Sequence, residues 1–210
     1  MDRLVMTPPD RGVLFVVSGP SGVGKSTLIR RALDKIPGLR FSVSATTRPA
    51  REGEADGTDY YFISDAAFES RVQSGQFLEH ASVYGCAYGT LAEPTRKALE
   101  RGECLVLDID VAGATQIRTS LPDATHIFIL PPDRATLEAR LRARATDSDE
   151  VIERRLEEMD EQLGGCGDYD YVVVNDDLET SHRVFQGILL AEMSRASRRY
   201  STIRPWSSPS

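Results

Sequence analysis

The chain has 210 residues, with 25 basic and 32 acidic side chains and a formal net charge of −7 at pH 7. This length suits one sizeable α/β domain with a proper core rather than two independent folds, and the acidic balance argues against generic binding to nucleic acid or a membrane surface. Three cysteines (Cys86, Cys104, Cys166) lie far apart with no C-x-x-C and no paired histidines, which supports neither a disulfide framework nor a zinc site and points to free thiols in a reducing, cytoplasmic setting.

Residues 1–12 contain Pro8, Pro9 and several charges without periodicity, and read as a loose, flexible leader. The apolar run Val13 to Val17 predicts a strand; it is too short to span a membrane, and no signal peptide is visible. Behind it stands Ser18-Gly19-Pro20-Ser21-Gly22-Val23-Gly24-Lys25-Ser26-Thr27, which fits G-x-x-x-x-G-K-[ST] from Gly19 to Ser26 and leads into the helical spacing Leu28, Ile29, Ala32, Leu33. A strand therefore feeds a phosphate-binding loop that opens a helix. The glycines let successive backbone N–H groups point inward, and the helix N-terminus adds partial positive charge, so a polyphosphate is held by donors that need no side chains. Lys25 is expected to reach the β- and γ-phosphates, and the Ser26 hydroxyl to ligate Mg²⁺ directly.

Pro37-Gly38 ends this helix, and Phe41-Ser42-Val43-Ser44 reads as a short alternating strand. The loop Ser44-Ala45-Thr46-Thr47-Arg48-Pro49-Ala50-Arg51 concentrates hydroxyls and two arginines before Gly53 and Gly57 bend the chain toward Tyr60-Tyr61-Phe62. Arg48 and Arg51, with tyrosines nearby, suit a bidentate grip on a second phosphate, although the loop taken alone reads equally as solvated surface. Asp65 is placed as the cap of a short helix carrying Phe68 and Val72, with two more strands after it.

Glu93-Pro94 starts a helix that stops at Gly102, and Cys104 to Asp108 reads as a buried parallel strand ending in an acid. That is the Walker-B arrangement, which delivers Asp108 to the sheet edge beside the phosphate loop, where it can hold Mg²⁺ through water; a plain helix cap is the other reading. Asp110-Val111-Ala112-Gly113 also spells the D-x-x-G switch of small GTPases, but Val174-Asn175-Asp176-Asp177 lacks the lysine of N-K-x-D. Thr125 to Leu130 is the next strand. A helix capped by Asp133 then turns Leu137 and Leu141 inward and sets Arg140 and Arg144 on one face, and a second helix carries Arg154 and Arg155. On residues alone such arginines read as solvated faces with weak ion pairs. Gly164-Gly165-Cys166-Gly167 breaks the second helix, Tyr171 to Val174 is the last strand, and Leu178 to Tyr200 closes the chain as an amphipathic helix with Val184, Ile188, Leu189 and Met193 on its apolar side. The tail at 201–210 is expected to be flexible.

The succession of S-x-S-x-T-T-R-x-x-R after G-P-S-G-x-G-K-S-T resembles the guanylate kinase family. The likeness continues through Gly75-Gln76-Phe77-Leu78-Glu79, Tyr88-Gly89-Thr90, Leu107-Asp108-Ile109-Asp110, Gly113, Arg144-Ala145-Thr146-Asp147 and Val174-Asn175-Asp176, across roughly residues 13 to 190. It implies an α/β fold of the P-loop NTPase type within residues 13–200, a parallel five-stranded sheet flanked by helices (core 13–39, 92–132 and 168–200), with a β-rich GMP-binding insert at 40–91 and a helical lid at about 133–167. By the same resemblance ATP sits on Gly19 through Thr27 with Asn175 by the adenine. The GMP phosphate is held by Arg48, Arg51, Tyr60 and Tyr88, and the base is faced by Ser44, Glu79 and Thr90, helped by Asp110. The implied reaction is ATP + GMP to ADP + GDP, reversible and Mg²⁺-dependent, with dGMP as an alternative acceptor. Lys25, Arg140, Arg144 and Arg155 neutralise the transferring phosphoryl, and Arg48 bridges acceptor and donor. The implied partners are ATP and GMP, without nucleic acid or membrane, and homo-oligomerisation stays open.

The base-reading role makes sense chemically: guanine offers N1–H and N2–H₂ side by side to a carboxylate such as Glu79, whereas adenine presents a bare acceptor there. Two departures from the family pattern fall in this segment, Cys86-Ala87 before Tyr88 and His80 after Glu79; they predict altered packing near the base rather than lost activity. Three rival readings are less consistent with these residues. A phosphopeptide-binding scaffold module resembling the same family would have a degraded phosphate loop, a GTP-hydrolysing switch would carry N-K-x-D, and a kinase for another small phosphate acceptor would not need the full Ser44, Arg48, Arg51 and Glu79 set.

Overall fold

The computed structural model describes residues 7–83, 85–143 and 148–200. The first apolar run forms β1 (Leu14–Ser18), buried along its whole length. It lies between β7 (Cys104–Asp108) and β8 (Thr125–Leu130), and β2 (Leu39–Phe41) and β9 (Tyr171–Val174) complete a five-stranded sheet in the order β2-β7-β1-β8-β9, parallel throughout. Continuous apolar strands belong in such a sheet because helices cover both faces. Phe15 and Val17 point to α1 (Lys25–Lys35) and α7 (Leu178–Met193), meeting Leu28, Ile29, Phe185 and Leu189. Leu14 and Val16 point the other way, to α3 (Ala92–Glu100) and α4 (Val111–Ser120), meeting Leu99, Ile117 and Phe128. Each such fully buried Leu or Phe contributes about 1.5–3 kcal/mol. The parallel register sets Val17 beside Asp108, so the acid emerges at the sheet edge from which the phosphate loop springs.

A second sheet is built from β3 (Ser44–Thr46), β4 (Tyr60–Phe62), β5 (Phe77–Val83) and β6 (Cys86–Leu91) in the order β4-β3-β6-β5, with α2 (Asp65–Gln73) beside it. The run expected as one strand over Phe41 to Ser44 is therefore two: the chain leaves the first sheet after Phe41, Ser42 N–H still donates to the Val106 carbonyl (2.8 Å), and pairing in the second sheet begins at Ser44. The chain returns through Leu91-Ala92. Because β3 and β6 are antiparallel with Ala45 opposite Gly89, the outward and return crossings lie side by side. The cap of α2 is Ser64, whose hydroxyl accepts from Ala67 N–H, rather than Asp65; the aspartate is instead the first helical residue, where its charge suits the helix dipole.

A two-helix arm follows β8. The carboxylate of Asp133 accepts from Thr136 N–H (2.7 Å) to cap α5 (Arg134–Ala143), and Leu137 and Leu141 pack against Ile152, Leu156 and Met159 of α6 (Asp149–Leu163) in a core of their own. Arg142 joins Glu138 and Asp149, and Arg154 pairs with Glu158, both as surface pairs.

The two ends differ from expectation. Residues 7–12 are held rather than loose: Gly12 N–H donates to the Leu99 carbonyl (2.7 Å), Asp10 N–H to the Arg198 carbonyl (2.8 Å), and Arg199 to Thr7. The helix α7 ends at Met193 rather than Tyr200, and the chain turns so that Arg198 and Arg199 reach this N-terminal segment. Val184 is exposed, and Ser181, His182, Phe185, Leu189 and Met193 form the buried side. Residues 1–6 and the tail 201–210 lie outside the described residues. No described helix is long and apolar enough to cross a membrane, and Cys86, Cys104 and Cys166 are free thiols.

Candidate active site

The loop between β1 and α1 has the left-handed backbone its glycines allow, with φ 87° at Gly22 and 101° at Gly24. A Cβ on Gly24 would lie 2.4 Å from the Asn175 amide nitrogen, and one on Gly22 would lie 2.6 Å from Leu141 Cδ2 of α5. Sequence spacing asks for glycine here to cradle phosphate; the structure adds that the strand-end loop and the arm press against the cradle from outside. Gly22→Ala should cost about 1–3 kcal/mol, from the positive φ and from displacing Leu141, and lower Tm by about 2–10 °C in thermal unfolding. No side chain caps the N-terminus of α1, so its amide donors face the loop.

Lys25 folds back along this loop. Its Nζ donates to the Gly19 carbonyl (2.7 Å) and lies 3.8 Å from Asp108 Oδ1. Burial pushes the Asp108 carboxyl above its ordinary range, while the Lys25 charge and the Ser26 hydroxyl pull it back. Ser26 and Asp108 are hard oxygen donors suited to Mg²⁺, and among the described residues no cluster of three or more His, Cys, Asp or Glu could hold a metal.

Asn175, expected near the adenine, is buried at the end of β9, and its Nδ2 donates to the Val23 carbonyl of the loop (2.7 Å). The side chain therefore braces the cradle. Arg140 reaches the same place, donating from Nη1 to the Asn175 carbonyl (2.8 Å) and from Nη2 to that of Asp176 (3.3 Å). Arg155 is half-buried on α6, and Arg144 lies outside the described residues.

The second cluster lies on the four-stranded sheet. Pairing sets Ser44 beside Tyr60, Thr46 beside both Phe62 and Tyr88, and Glu79 beside Thr90. Paired residues share a face and alternate residues return to it, so Ser44, Tyr60, Tyr88, Glu79 and Thr90 stand on one side. The Tyr60 and Tyr88 rings meet edge-on at 6.1 Å. Arg48, at the end of β3, places its guanidinium 5.5 Å from the Tyr60 ring centre and 5.9 Å from that of Phe62. Arg51 is exposed on the following turn.

Glu79 is 5% exposed and accepts from the Thr90 hydroxyl at 2.6 Å. Its other oxygen looks toward the start of α4, where a Cβ on Gly113 would come within 3.1 Å of it. Asp110 caps α4 by accepting from Gly113 N–H (2.7 Å). Burial first, and the Asp110 charge second, push the Glu79 carboxyl up. The D-x-x-G of the sequence thus starts a helix at the point where the carboxylate of the second sheet meets the first. His80 is exposed and uses its backbone on the Gln116 side chain, and Ala87 uses its N–H on Thr47 and its carbonyl on Thr46.

Sequence reasoning passed over Glu54. Its carboxylate takes both oxygens to Arg48 Nη2 (2.8 and 3.0 Å), and Oε2 also accepts from Arg51 N–H (2.7 Å). The only signal was an acid three residues beyond Arg51 in a glycine-flanked turn, which looks like any solvated loop glutamate.

Comparison with known proteins gives a consistent result. The guanylate kinase family model matches residues 11–192. A guanylate kinase of Symbiobacterium thermophilum is 47% identical over 188 residues, covering 90% of this chain and 89% of that protein. One from Rhodopseudomonas palustris is 46% identical over 190 residues, covering 90% and 86%. The crystal structure of guanylate kinase from Anaplasma phagocytophilum superposes with a TM-score of 0.69 at 32% identity, covering 91% of this chain and 92% of that one.

Proposed function

The chain belongs to the guanylate kinase family, the ATP:GMP phosphotransferases, and on that premise we propose that the two clusters are its donor and acceptor sites, acting on GMP or dGMP. The observation that carries the assignment is the meeting of Glu79 with Gly113 and Asp110, which brings the second sheet against the strand end that also presents Asp108 and Lys25.

The backbone amides of Gly19 to Thr27 hold the ATP phosphates, and Lys25 swings from the Gly19 carbonyl to the β- and γ-oxygens. Ser26 and Asp108 would hold Mg²⁺, and the ion when bound would supply charge neutralisation of the phosphates. Arg48, Arg51, Tyr60 and Tyr88 grip the phosphate of GMP, while Glu79, Thr90 and Ser44, with Asp110 behind, read the base. The acceptor is an already ionised phosphate, so no general base is required; alignment and charge neutralisation suffice. Arg140, Arg144 and Arg155 close with the arm as a lid over the transferring group and exclude water that would hydrolyse ATP. Arg140 would exchange the Asn175 and Asp176 carbonyls for phosphate oxygens. The acidic net charge and three free thiols support a cytoplasmic enzyme that engages neither nucleic acid nor membrane, and sedimentation decides between monomer and homo-oligomer.

A coupled assay with ATP and a panel of nucleoside monophosphates tests this. GMP and dGMP should be phosphorylated with kcat/KM at least about 10²-fold above AMP. Equal use of AMP, or hydrolysis of GTP with no acceptor present, would refute the assignment.

A further inference from the structure

The acceptor-phosphate reading above makes Arg48 and Arg51 a pair, and the structure gives them one shared organiser. Glu54 closes a turn, its N–H donating to the Arg51 carbonyl (3.1 Å), and from there its carboxylate reaches both arginines. One oxygen takes Arg48 Nη2 alone; the other takes Arg48 Nη2 and the Arg51 backbone N–H. The pair is sheltered, with side-chain exposures of 14% for Arg48 and 21% for Glu54, and the far side of the guanidinium is closed by the Tyr60 and Phe62 rings. Arg48 Nη1 is held by the Pro49 carbonyl at 2.8 Å. The guanidinium is therefore fixed by an acid, a carbonyl and two rings rather than swinging on its stem.

The geometry points to Glu54 as the positioning residue of the acceptor-phosphate site: it holds Arg48 in place and fixes the turn from which Arg51 projects, so that a monophosphate meets two arginines already in position. This rests on the acceptor-site assignment made above. An arginine left to find its own rotamer loses side-chain freedom when the ligand arrives, and that cost weakens binding. The arrangement also tells against reading Glu54 as a surface ion pair. Such a pair holds one partner, whereas this carboxylate joins a side chain and a main-chain amide three residues apart. Glu54 itself is held below the usual glutamate range by the Arg48 hydrogen bond and then by the Arg51 N–H, so it keeps its charge through the neutral range.

The test compares GMP with guanosine, which has the same base and no phosphate, by equilibrium titration of the full chain. In the unmodified protein GMP should bind much more tightly than guanosine. Glu54→Ala should weaken GMP about 10–100-fold, by analogy with the loss of outer-shell supports elsewhere, leave guanosine and ATP within about twofold, and raise the GMP KM far more than it lowers kcat. Glu54→Gln, which keeps an acceptor oxygen without the charge, should fall between the two, and it alone decides if the alanine variant does not fold. Equal loss of GMP and guanosine would mark Glu54 as merely structural, and an unchanged GMP-to-guanosine ratio would overturn its role. If the unmodified protein binds GMP no better than guanosine, the acceptor-phosphate assignment fails first and this inference with it.

Discussion

Lys25→Ala should reduce phosphoryl transfer by about 10³-fold or more while leaving a folded protein. The size follows from what the residue is placed to do. In the proposed mechanism Lys25 meets the developing charge on the transferring group; removing a single well-aimed donor from such a site costs about 10²–10³, and Lys25 supplies a full charge as well as a hydrogen bond. The fold survives because the β1 and α1 packing runs through Leu28, Ile29 and Ala32, whereas the Lys25 ammonium meets the loop carbonyls of Gly19 and Pro20 and, at 3.8 Å, Asp108. Asp108 loses the opposing charge that pulls its carboxyl down, and the group answers by binding a proton more readily rather than by unfolding the sheet. Circular dichroism and thermal unfolding should therefore overlay those of the unmodified protein while the coupled assay falls to background. Near-normal turnover would remove Lys25 from the mechanism.

Glu79→Gln should cut the preference for GMP over AMP by about ten- to a hundred-fold, mostly through the KM for GMP. The carboxylate is 5% exposed and accepts from the Thr90 hydroxyl, so in the proposed role guanine's paired N–H donors find an acceptor already desolvated. An amide in its place turns one donor–acceptor contact into donor against donor, which costs about 1–3 kcal/mol. The same burial sets a pH dependence. Because the folded carboxyl is raised above the ordinary glutamate value of 4.5, charging Glu79 lowers stability as the pH rises from 4.5 through its folded value, and the penalty is absent below 4.5. In the proposed base-reading role Glu79 meets guanine in its charged form, so the KM for GMP should climb as the pH drops through that raised value, and this climb should vanish in the Gln variant. Without ligand at neutral pH, the variant should be the more stable protein. A nucleotide preference untouched by the substitution would exclude Glu79 from base reading.

How far the sequence could be read depended on whether a feature announces itself through side chains. The phosphate loop and the strands beside it were legible because glycines, a lysine and unbroken apolar runs have few other uses. Ser44, Tyr60, Glu79, Tyr88 and Thr90 came through resemblance, and sheet pairing then placed them on one face. Other features are made by the backbone and leave no such mark. Phe41 to Ser44 alternates like one strand, yet the chain changes sheets within it. Residues 7–12 are held by main-chain bonds to Leu99 and Arg198 that no composition signals. Ser64 and Asp65 are both capping residues, and only geometry shows which one accepts from Ala67. Glu54 and the Asn175 brace were missed for a related reason: each acts on a partner distant in sequence or on a main-chain group, where pattern carries no information.

The paired crossings between the two sheets, at Phe41 to Ser44 and at Leu91-Ala92, bear on how the molecule can flex. Two covalent links set side by side act like the knuckles of a door: they permit a swing and resist torsion and sliding. Any movement of the second sheet against the first should then follow chiefly one angle. One pair of fluorophores, on α2 and on the outer surface of α7, would track that coordinate through a catalytic cycle.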